Sequence, residues 1–222
     1  GPPDISGMDV CVAYEPADVA QGLGGDWYDI MSLPKRRTYL AVGDVVGHGL
    51  PAVEDMAQLR SAGRALAHCG LPPAQLLAEL NGFTRLVSQG KFATMAVAIF
   101  DPADDMLTYC VAGHPPPFLR RSATGEVIRL ADAHGPVLGP VRDASYTEGK
   151  VHVAPGDILV MYTDGLVERR GMDLESGMAR AERIIADWDG DSVSEYCGVL
   201  QDHLAPRPRA DDVCILAVRF SL

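Results

Sequence analysis

The sequence has few basic residues and no basic stripe. Its 19 Lys and Arg are outnumbered by 30 Asp and Glu, which gives a formal net charge of -11. A surface that binds nucleic acid needs clustered Lys and Arg to replace the counterions of the phosphate backbone, so we expect no nucleic-acid partner. The acidic balance itself has two explanations: a solvated surface, or carboxylates that are gathered to bind cations.

The sequence also has few cysteines and no long apolar run. The five cysteines are odd in number, widely spaced and free of CxxC pairs, so we interpret them as structural thiols in a reducing compartment. No apolar run approaches the ~20 residues that span a bilayer. The first residues, Gly-Pro-Pro-Asp, do not resemble a signal peptide. The sequence therefore predicts a cytoplasmic protein without membrane insertion.

What the sequence does contain is an alternation of short strand-like runs with longer helical stretches. Apolar residues that recur every three to four positions predict helices over residues 50–68, 73–88, 174–187 and 192–204. Alternating apolar residues and turn signals predict strands over residues 9–14, 38–46, 94–100, 106–112, 117–121, 126–130, 150–153, 157–162 and 213–220. No internal repeat or linker is visible, so residues 1–222 are expected to form one α+β domain in which helices flank the sheets.

Aspartates recur at the ends of these strand-like runs. Asp26 follows a glycine pair, Asp44 and Asp164 each end a strand, and Asp211 and Asp212 precede the last strand. Each alone is typical of a turn or a solvated loop. Four carboxylates in one cleft, however, would repel one another unless a cation neutralised them. Oxygen ligands with little His and no Cys favour Mg²⁺ or Mn²⁺.

Six segments, taken in order, resemble the PPM-type metal-dependent protein phosphatases in their SpoIIE-like bacterial branch. They read GGDWYD, GDVVGHG, FATM, AGHPPPFL, YTDGLVE and DDVCIL. The resemblance runs from residue 14 to the last strand, so it covers nearly the whole chain. It implies two antiparallel sheets packed as a sandwich flanked by helices, with a two-metal site at one edge. It also implies an activity, the dephosphorylation of phosphoserine or phosphothreonine in a protein.

The resemblance implies a role for each aspartate around two Mn²⁺ or Mg²⁺ ions. Asp44 would bridge both ions, and Asp164 would help to hold the second. The full set of implied metal ligands is Asp26, Asp44, the carbonyl of Val45, Asp164 and Asp211, with Asp212 as the alternative to Asp211. Two ions that share a water lower its pKa and make it the nucleophile, so no covalent enzyme intermediate is expected.

Two features depart from the better-known branches of that family. Those branches place a histidine two residues after the bridging aspartate, whereas His48 lies four residues after Asp44. His48 is therefore either the general acid for the leaving oxygen or a turn histidine between two glycines. Those branches also place an arginine shortly before the first aspartate, but residues 20–23 contain no basic residue. We expect metal, backbone N–H groups and the helix that begins near residue 50 to hold the phosphate instead.

Four other residues are read from their motifs. Asp29 is expected to orient the first motif, the GGDWYD segment, without touching metal. His114 is expected to be a hydrogen-bonded hairpin histidine, and Thr94 a sheet residue near the site. Glu168 is either a group that reaches a metal-bound water or a solvated loop carboxylate.

The resemblance also implies a biological setting. The usual substrate of the SpoIIE-like branch is a phosphorylated anti-sigma-factor antagonist of the STAS type, in sigma-factor regulation and stress response. Its regulators are sensor or kinase domains, fused or separate, and we expect the chain to be a module of a longer protein. Two alternative functions are a catalytically weak phosphoprotein-binding module of the same fold and a two-metal nuclease. The intact aspartates count against the first, and the net charge counts against the second.

Overall fold

The computed structural model describes residues 5–16, 24–88, 91–168, 171, 173–188, 190, 192–205 and 211–221. The strands are β1 (Met8–Glu15), β2 (Trp27–Ser32), β3 (Thr38–Val45), β4 (Ala93–Asp101), β5 (Met106–Ala112), β6 (Phe118–Arg120), β7 (Val127–Arg129), β8 (His134–Gly135), β9 (Gly149–His152), β10 (Ile158–Tyr162) and β11 (Val213–Phe220). The helices are α1 (Leu50–His68), α2 (Pro73–Val87), α3 (Leu174–Ala186) and α4 (Val193–Leu204). None of these helices is both long and apolar enough to cross a membrane.

The strands form two sheets. One has the order β1-β11-β10-β6-β7, and the other has the order β2-β3-β4-β5-β8 with β9 also paired to β5. Neighbouring strands are antiparallel except for a two-residue parallel contact between β5 and β8. The expected α+β sandwich is confirmed, with this short parallel contact as the one departure among the described strands.

Three apolar layers hold the sandwich together. Leu40, Leu159 and Leu216 are fully buried between the two sheets. The outer face of the β1-containing sheet packs against α3 and α4, where Leu200 is fully buried. The outer face of the β2-containing sheet packs against α1 and α2, where Leu77 is fully buried. Burial of each such side chain contributes ~1.5–3 kcal/mol, so both sheets are fixed relative to the helices that cover them.

Helix α1 follows the predicted range and is seated close to its sheet. Pro51 lies in its first turn, where a missing N–H costs no hydrogen bond. A Cβ at Gly63 would lie 2.9 Å from the hydroxyl of Tyr39, so glycine allows the close approach. Asp55 is buried on this helix and pairs with Lys91 at 3.0 Å. The ion pair joins α1 to the segment that leads into β4.

Two strands were missed from the sequence. Strand β2 carries the buried Asp29 in its centre, which interrupts the apolar pattern expected of a strand. Strand β8 has only two residues, His134 and Gly135, and neither has strong strand propensity. Both are held in place by pairing with neighbours rather than by local preference.

The expectation that all cysteines are free thiols is wrong for one pair. Cys11 on β1 and Cys197 on α4 form a disulfide, and their Cα atoms are 6.2 Å apart. The two residues are separated by 186 positions, so sequence spacing gives no sign that they meet. Cys69, Cys110 and Cys214 are free.

Candidate metal centre

The aspartates singled out in the sequence gather at one edge of the sandwich. Asp44 lies near the end of β3, and Asp26 immediately precedes β2, whose first residue pairs with Gly43 of β3. From the other sheet, Asp164 follows the end of β10 and Asp211 precedes the start of β11. Antiparallel pairing within each sheet places these strand ends side by side, so all four carboxylates lie at the same edge.

The carboxylates at this edge repel one another. The pKa of Asp26 is raised by burial and then by Asp44, and the pKa of Asp44 is raised by burial and then by Asp164. A hydrogen bond between the side chains of Asp26 and Asp44 partly offsets this rise in the pKa of Asp44. Burial, followed by the charges of Asp211 and Glu168, raises the pKa of Asp164 to about 6. In the absence of a cation, this cluster retains protons that isolated aspartates would lose.

Glycine allows the backbone of the first motif to approach Asp44. A Cβ at Gly25 would overlap the carbonyl oxygen of Val45 and lie 3.1 Å from Oδ1 of Asp44. The Val45 N–H donates to the Gly25 carbonyl at 3.2 Å. The Val45 carbonyl therefore faces the first motif, next to the Asp44 side chain.

Asp211 and Asp212 both border the cluster, and the charges of both act on Asp44. Asp211 is also the leading charge on Asp164, and Asp212 also acts on Asp26. Asp211 is exposed, and its Oδ1 accepts a hydrogen bond from the Asp212 N–H at 2.8 Å. The nearness of Asp211 to Asp164 matches the pairing expected from the sequence, and the choice between the two ligands stays a prediction.

Thr163 positions Asp26 and was missed by sequence reasoning. Its hydroxyl donates to Oδ2 of Asp26 at 2.6 Å and accepts from the Cys214 N–H at 2.9 Å. Thr163 is fully buried, so this bond fixes Asp26 from the opposite sheet. The only sign in the sequence was its place directly before Asp164.

His114 bridges the two sheets behind the carboxylates. Its Nε2 lies 2.9 Å from the Tyr162 carbonyl, which only accepts, so Nε2 carries the proton. Its Nδ1 then accepts from the Thr94 hydroxyl at 2.7 Å. Burial lowers the pKa of His114 to about 4, so the imidazole is neutral at physiological pH. The expectation of a hydrogen-bonded histidine and of Thr94 near the site is in accord with these contacts, since Thr94 pairs with Asp44 across the sheet.

His48 lies exposed in the turn between β3 and α1. Both flanking glycines have positive φ, 120° at Gly47 and 77° at Gly49, as a tight turn requires. This conformation favours the turn reading, and the proposed acid role of His48 stays a prediction. Glu168 is also exposed, although its charge reaches Asp164. Residues 20–23, where no basic residue was found, lie outside the described residues.

Asp29 points toward α1 rather than toward the aspartate cluster. It is buried, and its Oδ1 lies 3.4 Å from Nη2 of Arg60 and 3.3 Å from Nη1 of Arg64. Burial raises its pKa, and the two arginines partly offset that effect. These contacts support the expectation that Asp29 organises the motif without touching metal.

The donor set at this edge fits hard divalent cations. Asp26, Asp44, Asp164 and Asp211 offer carboxylate oxygens, and their mutual repulsion is the kind that a cation relieves. Among the described residues, no group of three or more His, Cys, Asp or Glu side chains is already arranged to hold a metal ion. Metal binding at this edge would displace the protons that the carboxylates retain.

Several known proteins are similar to this chain in sequence. A family model described as Stage II sporulation protein E (SpoIIE) matches residues 34–221. The phosphoserine phosphatase RsbU of Bacillus subtilis is 33% identical over 155 residues, which are 68% of this chain and 45% of RsbU. Protein IcfG of Synechocystis is 26% identical over 196 residues, which are 76% of this chain and 30% of IcfG. The chain thus spans less than half of the length of either relative.

Solved structures give the same picture. The RsbU and RsbW domains of Rv1364c from Mycobacterium tuberculosis match with a TM-score of 0.85 and 32% identity, over 97% of this chain and 60% of that one. RsbX in complex with magnesium matches with a TM-score of 0.78 over 99% of this chain and 98% of that one. Its identity is 18%, so that likeness supports the fold alone.

Proposed function

The chain belongs to the SpoIIE family, and on that premise we propose that its domain is a metal-dependent phosphatase acting on phosphoserine or phosphothreonine in a protein. The observation that carries the proposal is the convergence of Asp26, Asp44, Asp164 and Asp211 from both sheets at one edge. A structural role alone does not account for such a cluster, because carboxylates that raise each other's pKa destabilise the fold that holds them. The name of RsbU, a phosphoserine phosphatase, supports the same activity.

The residues that would hold the ions are Asp26, Asp44, the Val45 carbonyl, Asp164 and Asp211. Bound there, Mn²⁺ or Mg²⁺ would activate a water and offset charge on the transferring phosphoryl group. Within the chain, Thr163 keeps Asp26 oriented through its 2.6 Å hydrogen bond. His114 links the strand that pairs with Asp44 to the strand that precedes Asp164, through its hydrogen bonds to Thr94 and Tyr162, and its imidazole stays neutral. In this proposal, His48 would give a proton to the leaving seryl oxygen from its exposed turn.

The test compares isosteric variants at two ligands with a surface control. We expect Mn²⁺-dependent hydrolysis of p-nitrophenyl phosphate and of a phosphoserine peptide by the wild type. Asp44→Asn and Asp164→Asn should each lower kcat/KM by at least about 100-fold, whereas Asp104→Asn, at an exposed turn, should change it little. Activity that survives both ligand variants would refute the metal assignment. A folded but inactive wild type would favour the phosphoprotein-binding module.

The protein substrate is part of the same proposal. We propose a phosphorylated STAS-type anti-sigma-factor antagonist in the cytoplasm, regulated by sensor or kinase domains that are fused or separate. The Mycobacterium tuberculosis structure that carries RsbU and RsbW domains in one chain supports such a setting. Comparing kcat/KM for a phosphorylated STAS protein with that for an unrelated phosphoserine peptide tests it. Equal values would refute selectivity for the STAS protein but leave the phosphatase activity intact.

A further inference from the structure

A small cavity opens beside Asp26, on the side that faces helix α1. Its volume is about 240 Å³, and its lining includes Tyr14, Gly24, Asp26, Val53, Met56 and Arg60. One wall is apolar and comes from α1, and the opposite wall comes from β1 and the first motif. Among the residues that line it, Arg60 is the basic side chain and Asp26 is the acidic one. The cavity therefore joins a predicted metal ligand to a guanidinium that no motif had singled out.

Arg60 uses only part of its hydrogen-bond donors. Its Nη2 lies 3.4 Å from Oδ1 of Asp29, a long contact for a charged pair. Its Nε is covered and finds no acceptor among the described residues. A guanidinium carries five N–H donors in a planar fork. Arg60 thus keeps donor capacity beyond its contact with Asp29.

Asp29 does not fully neutralise Arg60. Arg60 and Arg64 share one oxygen of Asp29, and the other oxygen, Oδ2, has no partner among the described residues. Two guanidinium groups therefore compete for one carboxylate, and Arg60 is the one that lines the cavity. The protein as a whole has a formal net charge of -11 and would repel a phosphate dianion. A local cation next to the carboxylate cluster is therefore where an incoming phosphate monoester would be attracted.

We propose that Arg60 binds the phosphate oxygens of the substrate from the α1 side of this cavity. A guanidinium matches two oxyanions of a phosphate at once, which a lone lysine does not. The apolar wall of Val53 and Met56 then lies against the residues that flank the phosphoserine. This inference rests on the proposed phosphatase function, and it makes Arg60 a substrate-binding residue rather than a metal ligand.

Arg64 supplies a matched control. Both arginines contact Oδ1 of Asp29 at similar distances, and both side chains are 42% exposed. Arg64, however, is absent from the cavity lining. A role confined to the pairing with Asp29 should therefore be disturbed equally by Arg60→Ala and Arg64→Ala.

The experiment measures KM for p-nitrophenyl phosphate and a phosphoserine peptide, and Ki for inorganic phosphate, in both variants. We expect Arg60→Ala to raise all three constants by about tenfold or more with kcat less affected, because a charge-assisted bond made before and during reaction is lost. Arg64→Ala should change them by less than about threefold. Arg60→Lys should recover part of the loss, which shows that the Ala variant is not simply misfolded.

Three results would overturn the inference: unchanged constants in Arg60→Ala, equal changes in both Ala variants, or a higher KM for the peptide with an unchanged phosphate Ki. The last would mean that Arg60 contacts the protein part of the substrate. Thermal unfolding with and without inorganic phosphate, in Mn²⁺ and in EDTA, gives a readout that does not need activity. If phosphate raises the Tm of the wild type and of Arg64→Ala but not that of Arg60→Ala, the result supports phosphate binding by Arg60 even if the wild type proves inactive. If phosphate still raises the Tm of Arg60→Ala, the inference is refuted.

Discussion

Replacing Asp164 by asparagine should stabilise the metal-free protein at neutral pH. The change keeps the shape of the side chain and removes its charge from the cluster. Burial, Asp211 and Glu168 raise the pKa of Asp164 from 3.8 to about 6 in the folded protein. At ~1.4 kcal/mol per pH unit, that difference corresponds to at most roughly 3 kcal/mol. Because Asp164 is partly exposed, solvent screening reduces the expected gain to about 1–2 kcal/mol.

The sign of the effect depends on pH. Between pH 4 and pH 6, roughly, the folded protein keeps a proton on Asp164 that the unfolded chain has released. The folded state binds more protons in this window, so the stability of the metal-free protein falls as pH rises through it. The amide of Asp164→Asn stays uncharged at every pH in this window, so the variant does not lose stability in this way. Its advantage should therefore be near zero at pH 4 and complete above pH 7.

Urea denaturation in EDTA, followed by circular dichroism at pH 4 and pH 7.5, measures the effect. Asp104→Asn removes the same charge at an exposed turn, and we expect it to change the free energy of unfolding by less than about 0.5 kcal/mol. A destabilised Asp164→Asn protein at pH 7.5 would refute the reasoning. So would a gain that equals that of the control, or one that persists unchanged at pH 4.

Three further predictions use the same denaturation assay or metal titration. Gly25→Ala forces a Cβ onto the Val45 carbonyl, so we expect a folded protein whose Mn²⁺ affinity, measured by calorimetry, falls at least about tenfold; an unchanged affinity would exclude the carbonyl from the site. His114→Ala leaves two buried partners unpaired and should cost about 2–4 kcal/mol at pH 8, but about 0.5–1 kcal/mol less at pH 6, because only the unfolded wild-type chain gains a proton on His114 in that range; a cost that is equal at both pH values would contradict a neutral buried imidazole. Lys91→Ala leaves the buried Asp55 unpaired and should cost about 1–3 kcal/mol, most of which Asp55→Asn in the same background should recover; no recovery would mean that Lys91 stabilises by packing alone.

The sequence predicted the architecture well where periodicity was strong. Helix α1 occupies the expected residues 50–68, because its apolar positions repeat with helical spacing and Pro51 marks its first turn. The family resemblance is confirmed by the family model that matches residues 34–221, a range that contains five of the six segments. Strand β2 was not predicted because Asp29 interrupts its apolar pattern. The buried carboxylate is accommodated there by Arg60 and Arg64, which lie on α1.

The sequence predicted which carboxylates gather at the candidate site, but not which residues support them. Aspartates at strand ends are visible in a linear sequence, since glycines and turns mark their positions. Thr163 and His114 act through hydrogen bonds to residues 137 and 48 positions away, respectively, and no local pattern encodes such a partner. The disulfide of Cys11 with Cys197 was missed for the same reason, since it joins a strand to a helix across 186 positions.

The order of strands in the β1-containing sheet has a consequence for synthesis of the protein. Strand β11 is the last along the chain, yet it lies between β1 and β10 and pairs with both along most of its length. Until β11 leaves the ribosome, β1 and β10 lack their shared neighbour, and Asp211 is not yet present. Such pairing between distant segments forms slowly. A nascent chain therefore cannot assemble the complete carboxylate cluster until the segment through β11 has been translated.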